Sequence, residues 1–147
     1  MSRLHAVPSK SFDDLLTAAP GALQADHEMR RQIQKGINTR WYALIGVAVA
    51  GMLRCERFVN DLRGPLEKSF ALQLAADWTK LPLTDREKAI LSYTEKGTVD
   101  EASVRRHDVD ALRLAGVADE DILLIATAIA YHNYSIRMAA AFDVIPR

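Results

Sequence analysis

Apolar residues recur along the chain at three- and four-residue steps, and no run alternates every second residue. The spacing therefore predicts helices throughout and no half-buried strand, an all-α fold. Ser11, followed by Asp13 and Asp14, offers a cap and an acidic first turn for a short opening helix through Leu15 and Leu16, which Pro20 and Gly21 then punctuate. Residues 22–35 are polar, with Leu23, Met29 and Ile33 at helical intervals; they predict a surface helix with Gly36 just past its end. The longest apolar run, Trp41 to Leu53, lies in a helix expected over 38–55 and capped by Asn38 or Thr39. Its small residues Ala43, Gly46, Ala48, Ala50 and Gly51 permit close approach by neighbours, so it is the expected central helix.

Helical character continues over 56–63 until Gly64-Pro65, where the missing backbone donor demands a kink or a fresh start, and a further helix is expected over 65–78. Leu81-Pro82-Leu83 is a connector, and Thr84 with Glu87 forms a capping box ahead of Ile90, Leu91 and Tyr93. Residues 97–103 are expected to be a polar loop, and Val109, Leu112 and Leu114 mark a short helix ended by Gly116. Asp119, Glu120 and Asp121 then open a last helix over 119–141. It is apolar on nearly every face and so must be buried, in part between subunits.

Composition narrows the function classes. Of 147 residues, 49% are hydrophobic and 26% charged, with 19 basic and 19 acidic side chains, which fits one domain over 1–147 with a core hairpin near 38–78 and C-terminal helices near 84–141. Zero net charge argues against nucleic-acid and membrane-surface partners and leaves little repulsion between copies, so a homo-oligomer is expected. The longest apolar run is too short to span a bilayer, no secretory leader precedes it, and a lone cysteine supports no disulfide framework; a cytoplasmic setting follows.

Chemistry-bearing residues are few. Cys55 is the only thiol; Arg54 and Arg57 would depress its pKa if they faced it, the end of a helix would act oppositely, and a small buried core residue is the plainer reading. His27-Glu28 lacks a second histidine one turn on, so it predicts a surface residue and no metal pair. No glycine-rich phosphate loop, nucleophile elbow or paired-cysteine zinc pattern occurs, and no cofactor is expected. Residues 108–128 imitate a helix-turn-helix, but the second helix begins with three acids where a phosphate backbone demands a basic face. Tyr131, His132, Asn133, Tyr134 and Arg137 form the densest polar group of the last helix. They read as a hydrogen-bond network between helices or subunits, or as the polar wall of a pocket.

Four stretches carry a resemblance. They are residues 83–91 with the capping box, 109–116 ending in Leu114-Ala115-Gly116, 119–123, and Tyr131-His132-Asn133-Tyr134 followed by Arg137-Met138-Ala139. In these the chain resembles the peroxidase-related branch of the carboxymuconolactone decarboxylase and alkylhydroperoxidase D (AhpD-like) superfamily, and residues 48–63 are similar to its core hairpin. The resemblance implies an AhpD-like helical domain that assembles as a dimer, trimer or hexamer. It also implies a dithiol peroxidase site in the pattern E-x11-C-x2-C-x3-H.

Laid on this chain, that pattern places the first thiol at Cys55, the glutamate at Ala43, the second cysteine at Phe58 and the histidine at Leu62. A dithiol mechanism within one chain is thereby removed, because the proton relay and the resolving thiol are missing. Two readings follow. One is a thiol-dependent, peroxidase-type oxidoreductase reduced to Cys55 and resolved by an external thiol reductant; the other is a non-redox member that binds a small apolar ligand or serves a structural role. The first expects Cys55 accessible near a polar group such as His132. The second expects it buried, with Phe58 and Leu62 filling the vacated space, and replacing a polar relay by apolar side chains disfavours a thiolate. A decarboxylase-like reading would need Arg137 or Arg40 to hold a carboxylate.

Overall fold

The computed structural model describes residues 10–146, and among them every regular element is helical. The elements are α1 (Phe12–Leu16), α2 (Pro20–Gly36), α3 (Thr39–Met52), α4 (Val59–Leu62), α5 (Lys68–Asp77), α6 (Asp85–Val99), α7 (Arg106–Leu114) and α8 (Asp119–Ala141). Short 3-10 turns fill Glu56–Phe58, Trp78–Lys80 and Glu101–Ser103.

Helix α3 is the hub. Asn38 caps it by accepting a hydrogen bond from the Trp41 amide at 3.1 Å, and every residue from Ala43 to Ala50 is buried. Ile45 and Val49 face a core shared with α6, α7 and α8; Leu44, Val47 and Ala48 face a second core shared with α5, Leu66 and Leu83. Each of these larger aliphatic side chains contributes about 2 kcal/mol of burial. A third, smaller cluster of Phe12, Leu15 and Leu16 holds α1 against Leu23 and Met138.

The small residues of α3 set how closely its neighbours approach. A Cβ on Gly51 would lie 2.2 Å from the Ala75 carbonyl oxygen, so α5 crosses here at backbone contact. A Cβ on Gly46 would lie 2.8 Å from the His132 ring, so α8 is held at side-chain contact.

The end of α3 corrects the expected boundary. The helix stops at Met52 instead of Cys55, because Arg54 takes a left-handed conformation (φ 59°). Its amide donates to Gly51 O at 3.1 Å and the Cys55 amide to Ala50 O at 2.8 Å, the paired closure of a Schellman motif. Gly116 (φ 94°) closes α7 in the same way, as the sequence predicts. Asp143 (φ 54°) does so for α8, whose bounds agree with expectation.

Three other boundaries differ. Gly36 is the last residue inside α2, not a cap beyond it, and Leu124 packs where its Cβ would be. The expected helix over 65–78 begins only at Lys68, where the Glu67 side chain accepts from the Ser69 and Phe70 amides. The expected loop over 97–103 is helical to Val99, because Thr98 is buried against α8 and accepts from Asn133. The capping box forms as expected: Glu87 N donates to Thr84 Oγ1 and Thr84 N to Glu87 Oε1, both at 3.1 Å.

Candidate functional site

A cavity of about 310 Å³ opens beside the first half of α3, between α2, α4 and α8. Ala43 and Leu62 form its apolar wall with Gly64 and Pro65; Tyr42, Tyr131, His132, Ser135, Arg30 and Asp61 supply its polar groups. Ala43 and Leu62 are the positions that the pattern above assigns to a glutamate and a histidine, and here they face one space.

His132 enters that space from α8. It is 3% exposed, and neither ring nitrogen has a hydrogen-bond partner among the described residues. The Tyr42 ring packs on it at 4.5 Å between centroids. Burial pushes its pKa down to about 4, with the Tyr42 backbone pulling weakly the other way, so the imidazole is neutral near pH 7. Among the described residues only the Tyr42 backbone acts on the ring as a hydrogen-bonding group, so the imidazole keeps hydrogen-bonding capacity that a ligand entering the cavity can use. Burial likewise pushes Tyr42 up to about 12, so it too stays neutral.

Cys55 lies elsewhere. It occupies the second position of the turn that ends α3, is buried at 6% exposure, lines no described cavity, and its Sγ donates weakly to Leu53 O at 3.5 Å. Phe58 is 2% exposed beside the same core, and Arg57 stacks over its ring at 4.4 Å. Arg54 is spent on closing the helix and is exposed. The structure therefore brings Phe58 near the thiol but leaves His132 midway along α3, beside Gly46.

The polar group of α8 divides. His132 faces α3, whereas Asn133 and Arg137 face α6 across an open cleft of about 420 Å³. Asn133 donates to Thr98 Oγ1 (3.1 Å) and Ile129 O (3.0 Å), and Arg137 donates to Asn133 Oδ1 and Thr98 O. Neither is left seeking a partner, so this larger cleft is a less demanding site than the cavity at His132. Arg40 is committed as well. It donates to Glu87 at 2.6 Å and lies over Phe70, and although burial raises Glu87, the Arg40 and Thr84 hydrogen bonds outweigh it and hold that carboxyl below its usual value. Both arginines already hydrogen-bond within the fold, and each lines a different cleft, neither of them the cavity at His132.

No protein-family model and no curated protein matches this sequence. Solved structures do. An uncharacterized peroxidase-related protein from Silicibacter superposes with a TM-score of 0.80 at 23% identity, covering 92% of this chain and 75% of that one. A protein from Ralstonia eutropha, described as an alkylhydroperoxidase AhpD core, gives 0.74 at 24% identity over 88% and 73%. A protein of unknown function from Agrobacterium tumefaciens, named for AhpD and antioxidant defence, gives 0.72 at 26% identity over 87% and 92%.

The chain has the AhpD-like, peroxidase-related fold. On that fold Ala43 and Leu62 bound the cavity, while Phe58 is buried near Cys55. Sequence reasoning placed His132 in one polar group with Asn133 and Arg137 and missed Tyr42 and Ser135. The signal for both lay in helical spacing: Ser135 is three residues beyond His132, and Asn133 is one residue around the helix, about 100° away. No described helix is long and apolar enough to cross a membrane.

Proposed function

We propose that this AhpD-like protein binds a small, uncharged organic molecule in the cavity beside α3, with His132 as the polar group that receives it, and does so without thiol chemistry. One observation carries the reading: a buried imidazole whose nitrogens meet no side-chain partner sits in the wall of a cavity that Ala43 and Leu62 make partly apolar. A neutral imidazole suits a hydroxyl or carbonyl group. Arg30 and Asp61 bring one positive and one negative side chain to the lining, so the wall carries no net formal charge to select an ionic ligand. The exposed Met29, Leu123 and Tyr134 support assembly into a homo-oligomer, which sedimentation velocity would test.

A second reading is a one-cysteine peroxidase using an external thiol reductant. The names of the structural neighbours and the cysteine at the first thiol position favour it.

One pair of measurements decides between them. The His132 ring resonances are followed by NMR while small alcohols and ketones, aromatic and aliphatic, are titrated in. Consumption of cumene hydroperoxide with dithiothreitol is measured for wild type and Cys55→Ser. The expected result is a saturable shift at His132, absent in His132→Phe, with no turnover. Turnover lost in Cys55→Ser would overturn the binding reading in favour of the peroxidase.

A further inference from the structure

A second polar cluster lies outside the cavity, where α1 meets α2. Asp13, Asp26 and His27 each present one ligand atom, and these atoms all lie within 4.8 Å of one another. His27 Nε2 is 3.0 Å from Asp13 Oδ2. The observation that sets the cluster apart from ordinary surface acids is Asp26. It is 5% exposed, and neither carboxylate oxygen has a hydrogen-bond partner among the described residues. Burial raises its pKa, and the nearby Tyr131 hydroxyl acts in the opposite sense without reaching hydrogen-bond geometry. A buried carboxylate with free oxygens is costly unless something cationic meets it.

We propose that Asp13, Asp26 and His27 form a divalent-metal site of the kind that zinc occupies. One imidazole and two carboxylates are a three-ligand set that leaves a fourth position for water. Zinc ligands at about 2.0–2.2 Å stand roughly 3.4 Å apart in a tetrahedron, so the observed spacing needs only side-chain rotation to close. Arg30, with Nη2 at 3.4 Å from both Asp13 oxygens, and Tyr131 beside Asp26 stand where outer partners orient ligands. Two carboxylates against one guanidinium leave a net negative charge to attract the ion. The donor set favours zinc over magnesium, which keeps an octahedral shell of oxygen. Sequence spacing did not reveal the site because its ligands come from two helices, with Asp13 fourteen residues before His27.

The test is calorimetric titration of Zn²⁺ into the full chain after chelator treatment, for wild type, His27→Ala, Asp26→Asn and His107→Ala. His107 is an exposed histidine beside a carboxylate on α7 and controls for surface binding. One zinc per chain is expected, weakened at least tenfold by His27→Ala and by Asp26→Asn and unchanged by His107→Ala. His27 is exposed, so its replacement leaves folding intact, and Asp26→Asn removes a buried charge and should raise the melting temperature of the metal-free protein while abolishing the rise that zinc gives. Absence of stoichiometric binding, or binding indifferent to His27→Ala, would overturn the proposal.

Discussion

The two ends of α3 use the same device for opposite purposes. At the C-terminal end Gly51 lets the backbone of α5 come into contact, and Cys55 and Phe58 are buried beside the Schellman turn. Toward the N-terminal end Gly46 admits the ring of His132, and the space beyond it stays open as the cavity walled by Ala43 and Leu62. A glycine facing a backbone makes a solid joint, whereas a glycine facing a polar side chain makes a socket. Cys55 sits at the joint, and Ala43 and Leu62 line the socket.

The sharpest way to break this comparison is at the joint. Gly51→Ala would drive a Cβ to 2.2 Å from the Ala75 carbonyl, where only backbone movement can help. A loss of about 3 kcal/mol or more in urea unfolding is expected, at the upper end of overpacking costs. A loss below 1 kcal/mol would show that α5 is not fixed there.

Next in size is the acid response of the socket. His132 has an ordinary value of 6.5 and a folded value of about 4, so below pH 6.5 the unfolded chain takes up a proton that the folded chain refuses. Stability tied to this residue is therefore intact above pH 6.5 and falls as the pH drops toward 4, by about 3 kcal/mol in all. Unfolding curves for wild type and His132→Phe at pH 7 and pH 4.5 measure it. Equal losses in the two proteins would mean the imidazole is not held neutral.

Gly46→Ala comes third. The nearest atoms its Cβ would meet belong to the His132 ring, so a cost of about 1–2 kcal/mol is expected, together with loss of the ligand-induced shift at His132. The smallest effect has the opposite sign: Arg54→Gly removes the left-handed penalty at the end of α3 and should stabilise by about 0.5–1 kcal/mol without touching the socket.

Much of the fold was legible in the sequence because its helices follow their apolar period and carry their own stops. Helix α8, with three acids at its head, and α7, ended by Gly116, show this. Helix α3 was read three residues too long because its stop is Arg54, a residue that carries no left-handed preference and is held there by the two turn hydrogen bonds. Helix α6 was read too short because Gly97 looked like a breaker, while the contact that keeps it helical, Thr98 to Asn133, lies 35 residues away. The candidate site was half legible. His132 stood out as a polar residue in an apolar helix, but its separation from Asn133 depends on which neighbour each one faces. The partnerless state of Asp26 depends on burial that no local pattern encodes.

Helix α1 belongs to neither core fed by α3. It is held by its own small cluster and by the pairing of Phe12 N to Ile145 O at 2.7 Å and Ile145 N to Lys10 O at 3.3 Å. In native-state hydrogen exchange it is thus the segment that opens first, its amides trading protons while those of α3 remain protected. Each such opening carries Asp13 away from Asp26 and His27. An ion bridging the two helices would register as slowed exchange in α1 alone.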